Sequence, residues 1–148
     1  MSEATSQDAD GLVSVLERAR FSGSDPLGRD GRDPVARRGQ AVLEAIERRG
    51  GYGVVPAPVL AEASRTRSRR DATARVIRRL DVVPTDRRIA EMAGALLEAA
   101  ALSSKDAIDA FVVATAAMHQ SALVLTGDAG DLERLAAALP NVAILRLE

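Results

Sequence analysis

The stretch "SSKDAIDAFVVATAAMHQ", residues 103–120, places a carboxylate, Asp109, inside a segment that is apolar on nearly every side from Ala107 to Met118. Among Ile108, Ala110, Phe111, Val112 and Val113 that acid has little route to solvent, and an ionised acid left alone in such surroundings is prohibitively costly. Two arrangements satisfy it: a structural aspartate held by an arginine or backbone amides, or a ligand to a cation. Other acids are placed to join it. Glu62 falls one turn after Val59 and Leu60, on or near the inward side of a helix, although a solvated glutamate is the commoner outcome there. Asp128 directly follows the apolar run "ALVLT", where a strand-end carboxylate faces a site; a turn aspartate in "TGDAGD" fits equally well. Asp131 shares the turn reading and would open the helix "DLERLAAAL". Asp106 follows Ser103 in a capping-box spacing with Asp in place of Glu, and complements the helix dipole. Asp8 and Asp10 compete as N-cap of the segment after them.

Four of these acids, at strand-to-helix junctions or inward helix faces, would form a negative cavity at one sheet edge, and like charges that close cannot all stay ionised without a cation. Magnesium and manganese favour oxygen ligands and keep several waters, so carboxylates suit them. The chain has no cysteine, which excludes disulfides and thiolate metal sites, and its only histidine, His119, falls at a helix end. A net charge of −1 supplies no global field to draw the protein onto nucleic acid, so any grip on a polyanion must be local. "SRTRSRR", with Arg65, Arg67, Arg69 and Arg70, is the best local candidate; a solvated helix face or a contact for an acidic partner accounts for it as well.

The elements that must position these groups follow from apolar periodicity and breakers. The polar start leads into "LVSVLERAR", which reads as a short amphipathic helix with Leu12, Val15 and Leu16 on one side. Residues 21–34 are rich in Gly, Asp and Pro and read as an exposed loop. Helices are predicted over about 34–49, from "APVLAEAS" with Pro58 in its first turn, over roughly 68–80, over about 86–100, over 107–118 and through "DLERLAAAL". "VVP", "LDVVPTD", "SALVLTGD" and "VAILRL" are strand candidates. Short apolar strands alternating with helices imply a parallel sheet covered on both faces, with functional groups gathered where strands end and helices begin. At 148 residues with 47% apolar content and no dividing linker, one domain spanning 1–148 is expected. No run is long enough to span a membrane, and the start lacks a signal peptide's pattern, so a cytoplasmic location is the default.

With Asp, Glu, Asp and Asp in that order, the chain resembles the PIN-domain ribonucleases, especially VapC-like toxins of toxin–antitoxin pairs. The resemblance rests on "DADGL" at 8–12, "VVPAPVLAEA" at 54–63, "DAFVVATA" at 109–116 and "LVLTGDAGDL" at 123–132. It implies a three-layer α/β/α sandwich around a parallel sheet of about five strands, and a Mg²⁺- or Mn²⁺-dependent ribonuclease site formed by Asp8, Glu62, Asp109 and Asp128. Thr126 matches the family's hydroxyl residue before the last acid, and Asp106, Asp10 and Asp131 would support the set. A small antitoxin and a homodimer are the partners the resemblance implies. The stretch "SEATSQD" is polar where the family carries an apolar strand, so 1–7 would be an atypical first strand and Asp10 could take the place of Asp8. A catalytically inactive PIN-like domain serving as a protein- or RNA-binding module is the alternative.

Overall fold

Val-rich runs bounded by glycine, proline and aspartate become the strands of one sheet. The computed structural model describes residues 13–16, 34–63, 80–127 and 129–147. Strands β1 (Val13–Leu16), β2 (Tyr52–Pro56), β3 (Asp81–Val83), β4 (Ala122–Thr126) and β5 (Val142–Arg146) pair in the order β3-β2-β1-β4-β5. Every pairing is parallel. Helices α1 (Pro34–Arg48), α2 (Ala57–Ala63), α3 (Arg87–Ala99), α4 (Ala107–Ala117) and α5 (Gly130–Ala136) complete the described elements, with a 3₁₀ turn, Ser104–Asp106, leading into α4.

Consecutive residues of β2, from Gly53 to Pro56, are all buried, as are Val124, Leu125 and Thr126 of β4. Successive side chains of a strand point to opposite faces, so the sheet is covered on both. Helix α4 supplies much of that cover. Ala110, Val112, Val113, Ala114 and Ala116 are fully enclosed, and Thr115 satisfies its hydroxyl by donating to the Phe111 carbonyl at 2.7 Å. A helix so rich in alanine lets α3 and the sheet approach closely, which suits a chain with few aromatic residues to fill space.

The amphipathic helix expected over "LVSVLERAR" is corrected: Val13–Leu16 is the central strand, aligned with Tyr52 on one side and Ala122 on the other. A four-residue apolar run carries too little periodicity to separate helix from strand, and pairing on both edges decides it. The first described strand therefore lies at 13–16, later than the 1–7 expected; residues 1–7 and 21–33, and the predicted arginine-rich helix up to residue 79, lie outside the described residues.

Both α1 and α3 end in a Schellman motif. In α1 the amides of Gly50 and Gly51 donate to the carbonyls of Glu47 and Ile46 at 3.0 and 2.9 Å, with Gly50 at φ 82°. In α3 the amides of Ala101 and Leu102 donate to Glu98 and Leu97 at 3.1 and 2.9 Å, but the left-handed position holds Ala101 at φ 54°. A Cβ in that conformation costs about 1–2 kcal/mol. Ala101→Gly should therefore raise the thermal midpoint by roughly 3 °C, and Gly50→Ala should lower it comparably, in melts followed by circular dichroism.

Candidate metal centre

Helices that cross between parallel strands run back against them, so α4, which precedes β4, begins at the edge where β4 ends. Helix α5, which follows β4, begins at that edge too. The sheet order reverses direction beside β1, and the crevice outside the carboxyl ends of the strands at such a switch is where open α/β sheets place their sites. The first turns of α4 and α5 thus share an edge, and the two helices are packed against each other.

Their side chains are acidic. Asp106, Asp109 and Asp131 each offer a carboxylate oxygen, and these atoms lie within 4.8 Å of one another. Asp106 closes the 3₁₀ turn, where its Oδ2 accepts the Ser103 amide at 3.3 Å, as the capping-box spacing predicts. Asp109 sits in the first turn of α4 and is half-buried, and Asp131 occupies the first turn of α5. Asp131 lies 3.5 Å from the Arg134 guanidinium, whose Nη2 donates to the Ala100 carbonyl at 2.9 Å. Asp109 has no hydrogen-bond or ion-pair partner among the described residues. The arginine-paired form of Asp109 is therefore not what the described residues build.

Two unit charges about 4 Å apart repel by roughly 1 kcal/mol in bulk water and about 4 kcal/mol near a protein surface. A shared cation turns that repulsion into attraction. Oxygens within 4.8 Å of one another leave room for one, since Mg²⁺–oxygen distances are about 2.0–2.1 Å and small side-chain rotations close the difference. The donor set contains only carboxylates, which suits a hard divalent ion and not a soft one.

The other expected site residues fall differently. Glu62 lies in the last turn of α2, half-buried and engaged in contacts of its own, and is not part of the three-aspartate group. Thr126 is fully buried at the end of β4, where its carbonyl accepts the Leu147 amide at 2.9 Å. Asp8, Asp10, Asp128, Arg65, Arg67, Arg69 and Arg70 lie outside the described residues. Asp106 and Asp131 read from sequence as supporting groups, yet their oxygens join that of Asp109 directly. The signal for both was present as acids in first turns of helices that leave one sheet edge.

Residues 36–138 match the PIN domain family. The fold is similar to a chain in the crystal structure of VapBC2 from Rickettsia felis bound to a DNA fragment from their promoter, with a TM-score of 0.56 and 14% identity over 91% of this chain and 98% of that one. A search of curated proteins gives no significant match.

If the three aspartates share an ion, Asp109→Asn and Asp131→Asn should each weaken Mn²⁺ binding at least tenfold in calorimetric titration. Glu91→Gln, on the exposed face of α3 in a pair with Arg87 at 2.8 Å, should leave it unchanged.

Proposed function

The chain belongs to the PIN-domain family, and from that premise we propose that it is a metal-dependent endoribonuclease, the toxin of a toxin–antitoxin pair acting in the cytoplasm. The observation that carries the reading is the convergence of Asp106, Asp109 and Asp131 at the edge where β4 ends, with Asp109 unpartnered among the described residues. Asp8, Glu62 and Asp128 complete the acidic set in this proposal, and Thr126 helps to orient its last member.

A bound Mg²⁺ or Mn²⁺ would lower the pKa of a water and offset the charge that develops on the phosphate during hydrolysis of an RNA phosphodiester. The protein's share is placement. Asp109 stands on a helix whose body, Val112 to Ala116, is buried, so its carboxylate is held with little freedom. Asp106 is held by the Ser103 amide, and Asp131 by Arg134. One carboxylate of the set accepts the proton that the attacking water loses. Arg65, Arg67, Arg69 and Arg70 bind the backbone of the RNA strand. A homodimer restrained by a small antitoxin is the assembly we propose. The resemblance to VapC-like toxins supports it.

A second reading, an inactive PIN-like module that binds protein or RNA, draws on one observation. The first described strand begins at Val13, so Asp8 precedes it in sequence instead of following it. Incubation of the purified chain with a structured RNA and Mg²⁺ or Mn²⁺ separates the two. Cleavage should require the metal, stop with EDTA, and fall by about two orders of magnitude or more in Asp109→Asn and Glu62→Gln. Cleavage that survives either substitution undiminished would falsify the nuclease reading, and RNA binding without metal-dependent cleavage would favour the module.

A further inference from the structure

Lys105 is the one lysine of the chain, against nineteen arginines. It sits in the 3₁₀ turn between Ser104 and Asp106, immediately before one aspartate of the cluster and four residues before another. Helical spacing would allow an ion pair with Asp109, yet Lys105 is exposed and has no hydrogen-bond or ion-pair partner among the described residues. The other cation on an element that carries the cluster behaves differently. Arg134 is engaged by both Asp131 and the Ala100 carbonyl.

An ammonium is a compact, strongly hydrated point charge on a flexible stem, able to reach a ligand oxygen from several directions. Adjacent side chains on a helical turn diverge, so Lys105 shares the backbone of the turn with Asp106 while its long stem is free to sweep the surface beside it. A polyanion approaching three carboxylates at the surface of a protein with net charge −1 needs a cation that the carboxylates have not already claimed. Beside the arginines assigned to the RNA backbone above, Lys105 is such a cation on the turn that carries Asp106.

We propose that Lys105 is a substrate-contact residue: its ammonium holds a backbone phosphate of the RNA strand next to the phosphodiester that lies at the aspartate cluster. The inference rests on the nuclease reading above. An acidic protein segment is the competing ligand, and the test separates it.

Three forms of the full chain, wild type, Lys105→Gln and Lys105→Glu, are compared for binding of a fluorescein-labelled single-stranded RNA in Ca²⁺, with the RNA checked for intactness on a gel. Salt is varied, and Mn²⁺ binding is measured separately by calorimetry without RNA. Lys105→Gln should weaken RNA binding about fivefold and reduce the salt slope by about 1, with Lys105→Glu weaker still. Mn²⁺ affinity should stay within about twofold of wild type, because the ammonium bears on the phosphate and not on the ion. Since the chain has one lysine, acetic anhydride labelling followed by peptide mass spectrometry reads that side chain alone; RNA should protect it, and a glutamate-rich peptide should not.

Unchanged RNA affinity and salt slope in Lys105→Gln, with Mn²⁺ binding intact, would overturn this inference and leave the nuclease reading standing. Loss of Mn²⁺ binding in Lys105→Gln would overturn it by making Lys105 a support of the cluster, and protection by the peptide alone would overturn it in favour of a protein partner. A wild type that binds neither Mn²⁺ nor RNA would sink both.

Discussion

The burial of one parallel sheet on both faces is the constraint from which the rest of this molecule follows. Parallel strands need crossovers, the crossovers are helices, and helices that pack against strands run back along them. With β4 seated beside β1, α4 and α5 both start at the edge where β4 ends, and the packing of the two helices brings those starts together. The three aspartates stand on positions that packing had already brought together.

Helix α4 combines a buried body with an acidic first turn in a single element. Ala110 and Val112 to Ala116 are enclosed by the sheet and by α3, and their side chains are small. Its first turn emerges half-buried with Asp109. Packing that fixes the body of the helix also fixes its beginning, so a carboxylate at that place loses little further entropy on taking a ligand. The 3₁₀ turn before it adds Asp106 and, one residue earlier, the free ammonium of Lys105. Opposite charges thus stand on one short turn without pairing.

Helix ends explain a further part of the architecture. Asp86 caps α3 by accepting the Ile89 amide at 2.9 Å, and the other end of α3 turns through Ala101 in a left-handed conformation. That turn directs the chain into the 3₁₀ segment of the site, and the carbonyl of Ala100 beside it receives Arg134. The strained residue therefore lies in the connection between α3 and the cluster, where the path of the backbone matters more than its conformational ease.

Much of this was legible in the residues. The helices at 34–48, 87–99 and 107–117, the strands carrying "VVP", "DVV", "ALVLT" and "VAILR", and the parallel architecture all follow from apolar runs, N-cap aspartate and glycine stops, which act locally and so leave local marks. The central strand did not. "VSVL" is too short to declare its period, and only partners on both sides, β2 and β4, select an extended backbone for it. The same limit governed the acids. Sequence singled out Asp109 and the sheet edge, but grouped it with Asp8, Glu62 and Asp128 and read Asp106 and Asp131 as supports. It did not bring Asp106 and Asp131 to Asp109, because the distance between carboxylates on different helices is set by how those helices cross the sheet, a quantity no local pattern encodes.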